Sequence, residues 1–359
     1  MRELQFLCVP VVVLTGFNLG CDEKSPTAAI PSASAVRPAQ SASSSAEEAP
    51  PGGCKAAGEK PVELAQANGE VHGFVADAAH LYFASWQLHS GRGDLAKVRK
   101  DGGGLVNMVS VTLEPRDVAV DDSHVFYTQG IRLMKVAKAG GDAEVVDDNF
   151  SSQSIDIFGD FVFGVPGDYG PYDRFIRQPR KGGASKELHV EERPEVKDNP
   201  VGYSDLVVDA SGAYVTDSGT NRVLRFEHDR AEPKVVVGGQ EKAYSLSAVG
   251  DQLYFTLAKK GELLSVSKKG GKAKKLASGL VRKARIVADE AGVLAPFSGA
   301  DEDSPVTLSG VSPEGGDPVT LATLPKSNTV EGMALDQDCV YWVQREAGSG
   351  DVKIMALRR

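Results

Sequence analysis

Hydrophobic and polar residues alternate in short runs from Pro61 to the end of the chain. The runs are rich in Val, Leu, Tyr and Phe and are separated by Asp and Gly, which is typical of strands that bury one face. No segment of ten or more residues has the period of a helix. The pattern therefore predicts an all-β protein built from short antiparallel strands.

The runs come in units of four. One unit has a short apolar strand, an Asp or Gly-Asp turn, a second strand with an apolar-aromatic pair, a variable gap, a third strand, a Lys-x-Gly-Gly turn and a fourth strand. The centres of the second strands lie 36 to 52 residues apart, at Tyr82, Phe126, Val162, Tyr214, Tyr254, Leu294 and Tyr341. Glycine pairs recur in five units and supply the positive φ that tight hairpins need.

A repeat of this length with four antiparallel strands resembles a blade of the β-propeller superfamily, over roughly 300 residues. The segment Asp205–Phe226 resembles an NHL repeat, and Val340-Tyr341-Trp342 is similar to the YWTD type. The whole layout is similar to uncharacterised propeller lipoproteins of myxobacteria. The resemblance implies seven four-stranded blades, with six as the alternative if the third or sixth unit is not a blade.

The two ends of the chain are predicted to close the ring together. The last unit ends after its third strand, and the segment 61–66 has the sequence of an isolated fourth strand that can complete it. Cys54 precedes this strand and Cys339 begins the second strand of the last unit, so both fall at the same end of one blade. We expect a disulfide between them, which an extracytoplasmic location permits. Two unpaired cysteines are the alternative.

The first 21 residues have the proportions of a signal peptide. An apolar run from Leu4 to Leu19 follows Arg2 and is too short and too interrupted to span a membrane easily. It ends in Leu19-Gly20-Cys21 and resembles a bacterial lipoprotein signal, which implies lipid on Cys21. An ordinary cleaved signal and an uncleaved anchor are the alternatives.

Residues 22–53 are predicted to form a disordered stalk, because 22 of the 29 residues from Ser25 to Gly53 are Ser, Pro, Ala or Gly. Such a stalk would hold a single propeller domain, residues 54–359, away from a membrane surface. We therefore expect an extracytoplasmic protein in the cell envelope of a Gram-negative-type bacterium, lipid-anchored to the inner or the outer membrane.

The charge balance of the chain limits the classes of partner that we expect. With 40 Lys+Arg against 49 Asp+Glu, the net charge is −9, which argues against nucleic acid as a partner. The expected partners are the membrane, through the N-terminal lipid, and an unidentified protein, peptide or glycan. The domain is expected to be monomeric and to need no cofactor, and a metal ion at the channel mouth has no supporting ligand spacing.

Strand alternation sorts the loops onto two faces. The mouth face carries the second-to-third-strand loops and the blade-to-blade loops, and the hairpin face carries the other turns. Loops on the mouth face vary widely in length, which is where function usually resides on a rigid scaffold. Four aromatic residues are the candidate anchors for a peptide or glycan there, with plain surface loops as the alternative: Trp86, Tyr169, Tyr172 and Tyr203.

A second candidate site lies where the first strands begin. Residues at these starts are expected to ring the channel mouth, where they could bind a ligand or an ion: His72, Arg116, Asp117, Ser154, Asp205, Ser245, Arg285 and Glu331. Hydrogen bonding to neighbouring blades is the favoured alternative role.

The sequence contains no nucleophile motif, phosphate loop or metal-spaced cluster. The resulting hypothesis is a binding or scaffold module rather than an enzyme. The alternative is a propeller enzyme of lyase or lactonase type with a metal or polar site at the channel mouth, which rests on fold analogy.

Overall fold

The computed structural model describes residues 54, 60–166, 172–192, 202–298 and 304–359. Contacts divide the chain into two units, Met1–Glu47 and Glu48–Arg359, and all described residues belong to the second. The described residues form 28 strands in seven antiparallel sheets of four strands each. The predicted seven-bladed β-propeller is confirmed, and the six-bladed alternative is wrong.

Each blade runs outward from the channel, strand by strand. The innermost strands are β2 (Glu70–Ala76), β6 (Pro115–Val120), β10 (Ser154–Phe158), β14 (Tyr203–Asp209), β18 (Ala243–Val249), β22 (Val287–Asp289) and β26 (Asn328–Leu335). The second strands are β3 (His80–Gln87), β7 (His124–Gln129), β11 (Phe161–Val165), β15 (Gly212–Asp217), β19 (Gln252–Leu257), β23 (Gly292–Phe297) and β27 (Cys339–Glu346).

The third strands are β4 (Arg92–Arg99), β8 (Arg132–Ala137), β12 (Tyr172–Pro179), β16 (Arg222–Phe226), β20 (Glu262–Ser267), β24 (Thr307–Val311) and β28 (Asp351–Arg358). The outermost strands are β5 (Val106–Val111), β9 (Glu144–Asp147), β13 (Lys186–Glu192), β17 (Lys234–Val237), β21 (Lys274–Ser278), β25 (Val319–Thr323) and, for the last blade, β1 (Val62–Asn68).

The N-terminal strand closes the ring, as predicted. β1 pairs antiparallel with β28, from Val62 opposite Ala356 to Asn68 opposite Asp351, and completes the sheet β1-β28-β27-β26. The innermost strands of the first and last blades, β2 and β26, are in contact. Because the two ends of the chain share one sheet, the last blade does not present β28 as an unpaired edge.

The predicted disulfide between Cys54 and Cys339 is present and reinforces this closure. The two residues are 285 positions apart in sequence, with their Cα atoms 6.2 Å apart. Both are buried against Leu81 and Tyr341, in a cluster that joins the first and last blades. In the chain-entropy model, a bridge that closes so long a loop stabilises the folded state by about 5 kcal/mol.

The hydrophobic core lies between successive blades rather than in one central mass. The second strands are its main contributors, and every residue of β15 is buried. Between the third and fourth blades, Phe175 stacks on Phe226 with ring centroids 4.4 Å apart. Each blade therefore depends on its neighbours to cover its apolar faces, which explains why an apolar-aromatic pair recurs in six of the seven second strands and an apolar Val293-Leu294 pair stands in the sixth blade.

An ion pair crosses five of the seven blade junctions on the hairpin face. In each, an Asp at the end of an innermost strand meets the Lys or Arg that ends the third strand of the following blade. The inter-blade ion pairs are Asp77–Lys138, Asp121–Arg180, Asp209–Lys268, Asp289–Arg359 and Asp336–Lys100. The Asp turn and the Lys-x-Gly-Gly turn of the repeat are thus the two halves of one contact.

The same aspartates also shape their own turns. Each accepts a hydrogen bond from the backbone N–H two residues further on, as Asp77 does from Ala79 and Asp336 from Asp338. Burial alone would raise the pKa of Asp77, but Lys138 and the backbone N–H groups outweigh it and hold the pKa below its ordinary value. At the two other junctions an apolar residue takes the place of the Asp, Phe158 in the third blade and Val249 in the fifth. Phe158 stacks on His228 instead.

Replacing Lys268 by Met should lower the free energy of unfolding by about 1–3 kcal/mol, because the substitution leaves the half-buried Asp209 carboxylate without its cation. The matched control is Lys269→Met in the same hairpin, since the side chain of Lys268 is 9% exposed and that of Lys269 is 83% exposed. Urea unfolding of both variants is the measurement. Equal losses would show that the ion pair contributes nothing.

Candidate functional site

The innermost strands surround an axial cavity of about 310 Å³. All eight residues predicted to ring the channel line it: His72, Arg116, Asp117, Ser154, Asp205, Ser245, Arg285 and Glu331. Asp156, on β10, lines it as well. Most of these residues lie in or just before the first half of an innermost strand, toward the mouth face.

Several of these side chains connect blades. Asp117 accepts a hydrogen bond from the backbone N–H of Ile155 in the next blade, at 2.9 Å. Four further acceptors repeat the arrangement: Asp156 with Val208 at 2.7 Å, Asp205 with Leu246 at 2.8 Å, Ser245 with Ile286 at 3.2 Å and Glu331 with Val71 at 2.9 Å. These residues therefore have a structural role whether or not a ligand binds.

Gly73 marks a junction where no side chain fits. A Cβ atom built on Gly73 would lie 2.4 Å from the backbone nitrogen of Val118, and its φ of +71° is unfavourable for other residues. The first and second blades approach through backbone here. At Gly73 the wall of the axial cavity therefore has no side chain that could accept a hydrogen bond from the next blade.

The two best-enclosed carboxyls are Asp117 and Asp156. Burial raises the pKa of Asp117 to about 6, although the N–H groups of Ile155 and Val118 oppose the shift. Burial raises the pKa of Asp156 to about 7, and the neighbouring carboxylates of Asp117 and Asp205 add to the rise. The cavity wall carries four carboxyl groups, on Asp117, Asp156, Asp205 and Glu331, and two guanidinium groups, on Arg116 and Arg285.

Arg285 is the cation among these carboxylates. Its guanidinium lies 3.5 Å from the Asp205 carboxylate and over the Tyr244 ring, with 5.2 Å from the guanidinium carbon to the ring centroid. Burial would lower the pKa of Arg285, but Tyr244, Asp205 and Asp117 raise it above its ordinary value. Arg285 therefore stays charged and is held from one side by an aromatic face.

The first and last blades add a second group of charges. Glu331 pairs with Arg345 at 2.6 Å, and burial raises the pKa of Glu331. His72 lies beside them with its Nε2 atom buried and without a hydrogen-bond partner. Burial lowers the pKa of His72, so its imidazole is neutral at neutral pH. It can donate or accept one hydrogen bond at Nε2.

Within the described ranges, no three His, Cys, Asp or Glu side chains are placed so that they could hold a metal ion. The same part of the chain has no helix long and apolar enough to cross a membrane.

The predicted loop anchors do not form one surface. Trp86 is 9% exposed and Tyr203 is 0% exposed, so the expectation that these two aromatics are available to a partner is wrong. The strands β3 and β14 extend through them and pack them against adjacent blades. Tyr172, at the start of β12, is 42% exposed and remains available. Tyr169 lies outside the described residues.

Sequence reasoning missed Asp156 and Tyr244 as residues of the site. Side chains alternate along a strand, so Asp156 shares a side of β10 with the predicted Ser154. A lone carboxylate between Ile155 and Ile157 was the available signal. Tyr244 carried no such signal, because its role comes only from its position under Arg285.

No protein-family model and no curated protein sequence matches this chain. Several solved structures are similar to it. A catalytically inactive virginiamycin B lyase from Staphylococcus aureus with quinupristin is 12% identical over 83% of this chain and 98% of its own, with a TM-score of 0.62. YCF48 bound to D1 peptide is 11% identical over 82% and 94%, with a TM-score of 0.57.

A puromycin-hydrolysing peptidase of Mycobacterium tuberculosis is also similar, at 13% identity over 83% of this chain and 54% of its own, with a TM-score of 0.53. At these identities the likeness shows the fold alone. The chain is a seven-bladed β-propeller, a fold on which unrelated activities occur.

The raised pKa values of Asp117 and Asp156 predict that the stability contributed by these two groups falls as the pH rises from about 4 to about 7. In this window the two aspartates bind more protons in the folded state than in the unfolded state, where the Asp pKa is about 3.8. The lowered pKa of His72 acts in the opposite direction in the lower part of this window. Replacing Asp156 by Asn removes one titrating group and should flatten the dependence. The inter-blade aspartates, with lowered pKa values, act below this window.

The measurement is the melting temperature between pH 4.5 and 8. Asp122→Asn is the control, because Asp122 is exposed on the hairpin face. An Asp156→Asn variant whose melting temperature has the same pH slope as the control would contradict the assignment.

Proposed function

We propose that this protein is an extracytoplasmic β-propeller, anchored through lipid on Cys21, that binds a protein, peptide or glycan through its mouth face. The observation that carries the proposal is the axial cavity, to which all seven innermost strands or their starts contribute. On the hairpin face, five Asp carboxylates and five cations are paired with each other across the junctions. The charges at the channel are less completely paired, which favours the mouth face as the binding surface.

The structural neighbours are consistent with a binding role without assigning one. One similar propeller is described in complex with a peptide and another is a lyase, so the fold accommodates both classes. A lyase or lactonase activity is the alternative, and no contact among the described residues favours it over binding. We assign the repeats to the NHL-like type on the sequence of blade four.

The extracytoplasmic location is supported by the disulfide Cys54–Cys339, since disulfides persist in oxidising compartments. The signal-like segment 1–21 and the stalk 22–53 lie outside the described residues, and they support the proposal through sequence alone.

Replacing Cys21 by Ala should move most of the protein from the membrane fraction to the soluble fraction, because the lipidated residue is lost. The second measurement is the incorporation of labelled palmitate. We expect label in the wild type and in the control Cys8→Ala, but not in Cys21→Ala. Wild-type protein that takes up no label would end the lipid proposal.

The binding proposal is tested by photo-crosslinking in intact cells. A photoreactive phenylalanine analogue placed at Leu88 or Ile131, both exposed on mouth-face loops, should give crosslinked adducts. The matched positions are Asp251 and Lys269, whose side chains are exposed on hairpin-face turns and should give at least about tenfold less product. Adducts only from the hairpin face, or from neither, would overturn the proposal.

A further inference from the structure

The Arg285 guanidinium forms an ion pair with Asp205 at 3.5 Å, which is longer than an ordinary hydrogen bond. The guanidinium carries five N–H groups, and among the described residues it donates no hydrogen bond. Its side chain is 38% exposed and forms part of the wall of the axial cavity. A planar donor group fixed by Tyr244 on one side is suited to a carboxylate, which it can bind through two parallel hydrogen bonds.

Two carboxyl groups that line the same cavity, those of Asp117 and Asp156, call for a positively charged partner. Asp117 and Asp156 each already accept two backbone N–H bonds, yet burial and mutual repulsion still disfavour their charge. The positive charge of Arg285 favours the ionised form of Asp117 but does not outweigh its burial. An ammonium group would supply further positive charge, and each carboxylate oxygen keeps a lone pair to accept from it.

Size limits the ligand. A cavity of about 310 Å³ is at the lower end of small-molecule sites, which span roughly 300–1,000 Å³. This volume suits a free amino acid or a peptide of two or three residues. It is too small for a folded partner or a long glycan.

We propose that the axial cavity binds a small zwitterion of amino-acid or short-peptide size, with the ligand carboxylate on Arg285 and the ligand ammonium on Asp117 and Asp156. The proposal rests on the binding function proposed above and names its ligand class.

The first test uses wild-type full-length protein and three matched probes: alanyl-alanine, N-acetyl-alanyl-alanine and alanyl-alaninamide. Titration calorimetry at pH 7.5 should show alanyl-alanine binding at least about tenfold more tightly than either blocked form. Free alanine is a fourth probe that separates an amino-acid site from a peptide site. Equal binding of the three peptides, or no saturable binding of alanyl-alanine or alanine below roughly 10 mM, would overturn the proposal.

The second test assigns the two ends. Arg285→Ala should reduce the affinity for alanyl-alanine about tenfold and leave that for alanyl-alaninamide unchanged. Asp156→Asn should reduce the affinity for alanyl-alaninamide, which has a free ammonium group, and leave the affinity for N-acetyl-alanyl-alanine unchanged. Arg282→Ala, on an exposed residue three positions before Arg285, is the control and should change none of them.

Two outcomes separate this inference from the binding function. Crosslinks at Leu88 and Ile131 without zwitterion binding would leave the binding module standing and remove the proposed ligand. A variant whose losses are the same for all three peptides would show a general structural effect and would contradict the assignment of that residue to one end of the ligand.

Discussion

The pairing of β1 with β28 is the constraint on which the rest of the propeller depends. The apolar faces of each blade are covered only by adjacent blades, so an open ring would leave two blades half covered. The strand β1 closes that gap, and the Cys54–Cys339 bond joins a residue that precedes β1 in sequence to the same blade. Closure in turn brings the seven innermost strands around one axis, and only then do residues as distant in sequence as His72 and Glu331 share a cavity.

The repeated units are alike on the hairpin face of the propeller and differ at the channel. On the hairpin face the same contact recurs, an Asp from one blade and a Lys or Arg from the next, and it is missing only where an apolar residue, Phe158 or Val249, takes the place of the Asp. At the channel the equivalent positions differ from blade to blade, with a glycine at Gly73, a carboxylate at Asp117 and a guanidinium at Arg285. A uniform hairpin face holds the blades together, and this frees the channel positions to differ, so that a symmetric scaffold acquires an asymmetric site.

The channel residues combine structural and chemical roles. Asp117, Asp156 and Asp205 accept backbone hydrogen bonds across blade junctions. Burial and the nearby Asp205 carboxylate raise the pKa values of Asp117 and Asp156, and Arg285 opposes this only in part for Asp117. A ligand that brings a cation and an anion in one small molecule would satisfy both the carboxylates and the guanidinium of Arg285.

The sequence by itself determined the strand pattern, the number of blades, the closing strand, the disulfide and the eight residues of the channel ring. These follow from local alternation and from a repeat whose period fixes equivalent positions, so that aligning the units also aligns their places in space. Only the tertiary structure decided that Trp86 and Tyr203 are buried, because burial there depends on the adjacent blade. It also decided which Asp meets which Lys, and that Asp156 and Tyr244 join Arg285 at the axis, since contacts between blades leave no local pattern in the chain.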